Sequence, residues 1–490
     1  MLVTDSELEF CEFWRRHLVD LKISGILTNL KPREDLEILG VAPIDPSVLL
    51  ADLQNGDQNS NIPAMNFSLE AECAWGLENF LEMCKRLNIS GVETYHARRS
   101  LFSKLVSYWG GYLRNNPPDI IFFTTCPHEV VDFILYLVAD ATGIETVIMH
   151  DLHLFSRKIV SSSLQSPWNS RIPINNSGQS LEHIRAIIGN HKLDFVPPWM
   201  TNSEQAVMST KRITPLSNRF LVRVITAHIR SVFLLIMGEF GLIKKYRASI
   251  LIHEQFQKVE DSFFYQEKLL TQTNLSHQRN EFRDIDPSCS FVLFCMNLDP
   301  EMMVNPLGFP FSNQMQAITK LRELLPPHWT IAIREHPLQY ENSGGYGRLG
   351  RTYDFYKIIQ SIPNTIVIDS KIKLNTLVEK SEMVATLNGT VGWQSALSGK
   401  KVAILGNAWY ENSPNTMRFT PKSTPAEMRD FIESEDATSI ELFAEFVCNR
   451  FFHSVEYISS QEIANQLGSE WKESVYSNTF KEIVDNLVLI

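Results

Sequence analysis

The sequence contains no Cys-X-X-Cys pair and no Cys/His cluster. Its seven cysteines (Cys11, Cys73, Cys84, Cys126, Cys289, Cys295 and Cys448) are scattered and odd in number. This excludes a zinc module and a disulfide framework, and a reducing compartment fits best. No run reaches the roughly 18 uninterrupted apolar residues that a spanning helix requires. The nearest candidate, Ser231 to Ile243, is too short and contains Glu239. The opening residues MLVTDSELEFCEFW carry acids where a secretory signal carries Lys or Arg before an apolar stretch. A cytoplasmic protein is expected. Surplus positive charge is missing too: a net charge of -11 argues against general nucleic-acid binding. Neither the GxxxxGK phosphate loop nor GxGxxG after a strand occurs. No DxD-like acidic pair sits at a strand-end loop, so no essential divalent metal and no other cofactor is expected.

What is present is a globular composition, 44% hydrophobic and 21% charged over 490 residues, long enough for two or three domains. From Asp119 the pattern alternates between apolar runs and helical spacing. Ile120 to Phe123 reads as a buried parallel strand, Glu129 to Thr142 as a helix stopped by Gly143, and Thr146 to Met149 as the next strand. Ser161 to Gln205 reads as irregular, and Leu216 to Leu270 as mostly helical. The second half gives strands at Phe291–Cys295, Trp329–Arg334, Thr365–Ile368, Met383–Leu387 and Lys401–Leu405. Helices at Phe311–Leu325, Tyr353–Ile362, Leu374–Ser381 and Val391–Ser398 separate them. Such alternation predicts α/β domains with doubly wound parallel sheets, whose strand-end loops share one edge. The expected division is an N-terminal domain over 1–270, a polar linker over 271–288, and a second α/β domain over 289–420. Helices over 421–490 are expected to pack back on the first domain.

Candidate ligand groups follow from those edges. Asn388-Gly389-Thr390-Val391-Gly392 joins a strand to a helix. Free N–H groups there, with Thr390 as cap, can hold a phosphate; a capped helix after a tight turn is the alternative. Arg334 and His336, in Arg-Glu-His-Pro at the end of the preceding strand, can donate to the same phosphate. Trp409 and Tyr410, after the last strand, can flank a base or sugar, or pack against a neighbouring domain. In the first half, His128 and Glu129 follow one strand and Asp151 ends the next, supplying a base and a nucleophile. Helix-start roles are the alternative for His128 and Glu129.

Taken in order from Ile120 to Arg418, these pieces resemble the capsule polysaccharide synthesis family, whose members include bacterial β-Kdo transferases. FVLFCMNLDPE, FSNQMQAITKLRELLP, IAIREHP, RTYDFYKIIQSIPNTIVID and LNGTVGWQSALSGKKVAILGNAWY are similar to that family's series at matching spacing. The resemblance implies the GT-B architecture: two Rossmann-like domains facing across a cleft, the C-terminal one for a nucleotide sugar and the N-terminal one for the acceptor. It implies a retaining transfer of Kdo from CMP-Kdo onto a surface polysaccharide or glycolipid. Arg334, His336, Asn388, Gly389, Thr390, Gly392 and Gln394 would line the donor site. Asp151 would be the nucleophile, with Glu129 or His128 as its partner, and Arg157 would meet the acceptor. The family's Glu-Asp-Gly motif is reduced here to Asp151 alone, and Gln394 stands where many relatives have Glu. Other nucleotide-activated donors, CDP-glycerol included, and a non-catalytic role in polysaccharide assembly are the alternatives.

The stretch 211–247 departs from the acidic balance of the chain. Lys211, Arg212, Arg219, Arg223, Arg230, Lys244, Lys245 and Arg247 face a single acid, Glu239, with apolar residues between them. Such a helix suits an anionic membrane surface at the inner face of the cytoplasmic membrane. A buried helix whose Arg side chains reach the rim is the alternative.

Overall fold

Two β-sheets, each covered by helices, organise the chain. The structure is a computed structural model. It describes residues 2–4, 25–27, 43–55, 66–87, 94–152, 157–168, 188, 225–226, 228–233, 236, 285, 289–340, 351–368, 372–435, 440–451 and 454–456. The first sheet comprises β1 (Leu2–Thr4), β2 (Gly25–Leu27), β3 (Pro43–Ile44), β4 (Ile120–Phe123), β5 (Glu145–Leu152), β6 (Arg157–Ser161) and β13 (Ser454–Glu456). Their spatial order is β13-β6-β5-β4-β1-β2-β3. β5, β4, β1, β2 and β3 are mutually parallel. β6 and β13 close one side as an antiparallel extension.

Helices α1 (Pro46–Asn55), α2 (Phe67–Cys73), α3 (Leu77–Leu87), α4 (Tyr95–Asn115) and α5 (Val130–Thr142) accompany this sheet. α5 has apolar residues on nearly every face, and Val130, Phe133, Ile134, Leu135, Leu137 and Val138 are buried. Such a helix must be enclosed. α4 supplies part of that enclosure through Phe102, Leu105 and Trp109, whose indole N–H donates to the Val131 carbonyl at 3.2 Å. α5 begins at Glu129, whose N–H donates to the Asp132 carboxylate at 2.8 Å in a capping box. It ends at Gly143, in the left-handed region with φ of 70°.

The second sheet comprises β7 (Phe291–Cys295), β8 (Thr330–Arg334), β9 (Thr365–Val367), β10 (Met383–Thr386), β11 (Lys401–Ile404) and β12 (Thr416–Arg418). Its order is β12-β11-β10-β7-β8-β9, and every pairing is parallel. The strand order thus reverses direction between β7 and β10, as in dinucleotide-binding Rossmann sheets, and ligands of such sheets bind at the carboxyl ends beside that reversal. Burial of all five β7 residues accounts for the continuous apolar run FVLFC. α6 (Gln314–Leu324), α7 (Phe355–Ser361), α8 (Leu374–Lys380), α9 (Thr390–Leu397), α10 (Pro425–Glu433) and α11 (Ile440–Phe451) complete this half. Two Rossmann-like α/β units are therefore present.

The loop after β7 joins the two halves. Leu307 is part of the first sheet's core, with Met302 and Met303 packed against it. The Phe309 ring meets Trp75 edge-on at 5.7 Å between centroids. The Asn407 amide donates to the Leu164 carbonyl at 3.3 Å. The second sheet thus presents its carboxyl edge to the first domain.

Elements expected between 291 and 405 are found within a few residues of their expected ends. β5 differs: it continues past Met149 to Leu152 and turns back through β6. Asp151 therefore lies in a ladder opposite Lys158, and Arg157 opposite Leu152, rather than in loops. The alternating Ile159 and Ser161 complete that ladder, although the polar residues that follow read as loop. Apart from Ile285, the expected linker lies outside the described residues, as do most of the stretches 161–205 and 216–270. Among the described residues, no helix is long and apolar enough to cross a membrane.

Gly143 offers a clean test of the α5 stop, because an added Cβ would meet nothing within 4 Å. Gly143→Ala is expected to destabilise the protein by about 1–2 kcal/mol through backbone strain alone. Urea unfolding followed by circular dichroism measures it.

Candidate functional site at the carboxyl edge of the second sheet

The reversal point is bridged by side chains. Asn297 follows β7 and Asn388 follows β10. The Asn297 amide donates to the Asn388 carbonyl oxygen at 2.7 Å, and Thr386 Oγ1 donates to Asn297 Oδ1 at 3.2 Å. Asn388 Nδ2 in turn donates to the carbonyls of Met303 (2.7 Å) and Leu307 (3.2 Å). Gln314, at the start of α6, clasps the Asn297 backbone with both ends of its amide, at 2.8 and 3.0 Å. Asn388 therefore fixes the loop after β7 to the end of β10. With its amide engaged by protein on both sides, it shapes the edge rather than offering free donors to a phosphate.

A second network lies one strand over. Glu335, fully buried after β8, receives Arg351 in a two-pronged contact: Nε to Oε2 at 3.0 Å and Nη2 to Oε1 at 2.8 Å. The Tyr356 hydroxyl donates to Oε2 at 2.7 Å, and the His336 backbone N–H donates to Oε1 at 2.9 Å. Arg351 Nη1 reaches Asp299 at 3.1 Å, and its guanidinium carbon lies 4.4 Å from the centre of the Phe355 ring. Desolvation alone would lower the Arg351 pKa, but Glu335 and Asp299 outweigh it and hold the group charged. Burial pushes the Asp299 carboxyl up to about 6, against the pull of Arg351. Gln339 hydrogen-bonds both ways to the Asp299 backbone, at 2.9 and 3.0 Å.

Of the expected donor residues, Arg334 stands apart from these networks. It ends β8, is half-buried, and its buried Nε has no hydrogen-bond partner among the described residues. His336 lies beside it. Burial lowers the His336 pKa to about 4, with help from the Arg334 and Arg351 cations and against the Glu335 carboxylate. It is therefore a neutral imidazole at neutral pH.

At the start of α9 the expected cap moves by one residue: Gly389 is the N-cap and Thr390 is exposed inside the first turn. Gly389 is held by the Tyr410 hydroxyl, which donates to its carbonyl at 2.6 Å. Gly392 owes its small size to the same tyrosine, since a Cβ there would sit 2.1 Å from the Tyr410 oxygen. Tyr410 is fully buried and Trp409 packs edge-on against it, so this pair serves packing. Gln394 is buried within α9. Asn305, in the loop anchored by Asn388, is a residue that no sequence signal marked. It is buried with neither end of its amide hydrogen-bonded among the described residues, a situation that costs about 1–3 kcal/mol.

On the first sheet, the loop after β4 and the end of β5 share the corresponding edge. His128 Nδ1 lies 2.6 Å from the Cys126 carbonyl. A carbonyl only accepts, so Nδ1 carries the proton and Nε2 keeps its lone pair. Burial lowers the His128 pKa, which keeps the ring neutral and able to take a proton. The His128 carbonyl accepts from the Arg86 guanidinium. Glu129 caps α5, as the helix-start alternative requires. Its capping partner Asp132 was not singled out from the sequence. Burial, then the Glu129 charge, push its carboxyl up to about 8. The neighbouring His150 is buried, with Nε2 2.7 Å from the Ser161 hydroxyl.

Fold and edge together define an α/β protein of two Rossmann-like units. Residues 290–428 match the family model described as "Capsule polysaccharide biosynthesis protein". The resemblance to the capsule polysaccharide synthesis family therefore stands for the second sheet and its edge. No curated protein matches the chain by sequence. Similar solved structures include the β-Kdo 2,7 transferase of KpsC from Thermosulfurimonas dismutans, at 9% identity over 74% of this chain and 85% of that one, with a TM-score of 0.26. The β-Kdo 2,4 transferase of the same KpsC gives 12% identity over 66% and 78%, with a TM-score of 0.27. UDP-GlcNAc 2-epimerase from Methanocaldococcus jannaschii gives 12% identity over 91% and 97%, with a TM-score of 0.24.

The His336 environment carries a pH signature. The unfolded chain takes up a proton near 6.5 and the folded one near 4, so this group makes stability rise with pH across that window. An NMR titration, assigned with His336→Gln, should place the imidazole midpoint near 4. A midpoint at the ordinary 6.5 would contradict the buried, neutral ring.

Proposed function

We propose that the protein is a glycosyltransferase that moves a sugar from a nucleotide donor, with CMP-Kdo as the best fit, onto a surface polysaccharide or glycolipid. The reading rests on the family match of the second sheet and on one observation: the half-buried Arg334, whose buried Nε no described residue satisfies, at the carboxyl edge beside the strand-order reversal. A phosphate there would receive a charge-assisted pair of hydrogen bonds. Neutral His336 adds one N–H, and the backbone N–H groups opening α9 add their dipole. Gly389, Thr390 and Gly392 then shape the phosphate loop, and Asn388 and Gln394 support it from below.

Transfer begins as the bond between the anomeric carbon and the phosphate oxygen breaks. CMP leaves with the bonding electrons, stabilised by Arg334 and His336. In a retaining double displacement, the Asp151 carboxylate bonds to the anomeric carbon. The acceptor hydroxyl then displaces Asp151, and its proton passes to a base at the β4 edge. His128 Nε2 is suited to that step, with Glu129 as the alternative carboxylate. Arg157, on the adjacent strand, meets the anionic acceptor.

Titration calorimetry with CMP tests this reading. Arg334→Met should weaken CMP by about tenfold or more, the roughly 1.5–3 kcal/mol of a hydrogen bond to a charged group. Its melting temperature should be unchanged, because the protein loses no hydrogen bond of its own. Binding should also persist as pH rises through 6.5, since His336 is already neutral. Equal CMP affinity in the variant, or no preference for CMP over UDP and GDP, would overturn it.

A further inference from the structure

The described residues between 225 and 236 are helical, and their exposure is inverted. Ile225, Ile229, Val232, Phe233 and Ile236 are each about half exposed or more, whereas the small polar Ser231 is buried. At 3.6 residues per turn the five apolar positions fall within an arc of about 100°. His228 and Arg230, both exposed, flank that arc on either side, and Ser231 points the opposite way, toward the protein. A surface helix of a water-soluble protein ordinarily turns its apolar stripe inward. This one turns it outward.

The charge around the stripe identifies what it fits. Lys211, Arg212, Arg219 and Arg223 precede it, and Lys244, Lys245 and Arg247 follow it, with Glu239 the single acid between 211 and 247, in a chain whose net charge is -11. A second copy of this acidic chain would be drawn to the basic ends but has no call for the apolar arc. An anionic bilayer satisfies both, with acyl chains for the stripe and headgroups for the cations.

We propose that the described helical residues at 225–226, 228–233 and 236 dock the protein onto an anionic membrane surface, the apolar arc entering the headgroup region and the basic residues that precede and follow it in sequence supplying the attraction to lipid phosphates. The proposal does not depend on the donor reading.

Flotation of the full chain with vesicles tests it. The protein should float with phosphatidylcholine vesicles that contain phosphatidylglycerol at low salt. It should remain at the bottom with phosphatidylcholine alone, and bind less as salt screens the headgroups. The double variant Ile229→Asp, Phe233→Asp should lower vesicle partitioning by about tenfold or more, with an unchanged melting temperature because both side chains are exposed. A second variant, Lys244→Gln, Lys245→Gln, Arg247→Gln, should lower it while leaving the apolar arc intact. Wild-type protein that stays soluble with both vesicle types would overturn the proposal, as would variants that float equally well. So would a dimer in sedimentation velocity that the double Asp variant converts to monomer without any vesicle binding, since the arc would then be an interface between copies.

Discussion

The carboxyl edge of the second sheet depends on a single buried carboxylate. Glu335 gathers the Arg351 guanidinium, the Tyr356 hydroxyl and the His336 backbone N–H into one dry cluster, and through Arg351 it also reaches Asp299. A buried ion pair is a poor source of net stability, because desolvation of two charges offsets most of their attraction. Its strength is specificity. With every lone pair of Glu335 engaged, the end of β8, the loop after β7 and the first turn of α7 have one arrangement that leaves no charge unpaired. Substitution of either partner would leave the other charged and buried.

That constraint sorts the residues of the edge. Asn297, Asn388, Gln314 and Gln339 extend the order across the reversal point by pairing with each other and with backbone. Tyr410 does the same for the start of α9. Once these roles are filled, two arginines at strand ends keep a buried Nε without a partner among the described residues: Arg418, whose other nitrogens reach Glu411 and the Phe309 carbonyl, and Arg334. The loop fastened by Asn388 also carries Leu307 and Phe309 into the first domain. The same bonds that shape this edge therefore also set how the loop after β7 meets the core of the first domain.

Much of the second sheet was legible because its strands are buried on both faces. FVLFC, TIAIR and KVAI stand out as continuous apolar runs between helical stretches. Before residue 119 the reading was blank: β1, β2 and β3 span two or three residues each, too short for any periodicity. β6 was hidden by the polar residues that follow it. The edge was legible as a place but not as a set of roles. Arg-Glu-His-Pro announces charged groups without revealing that the Glu turns inward and the Arg does not. Gly392 lies where the Tyr410 hydroxyl approaches too closely for a Cβ, a constraint that no local pattern announces. Asp132 looked like an ordinary first-turn acid, and only burial beside Glu129 raises its pKa.

The central claim is that the nucleotide lies on the edge that Glu335 organises. Hydrogen exchange of the full chain with and without CMP measures this most directly. Slower exchange is predicted in the backbone at 296–299, 334–336 and 388–392, with little change after β4. Protection confined to 124–129 and 149–152, or none at saturating CMP, would contradict the account.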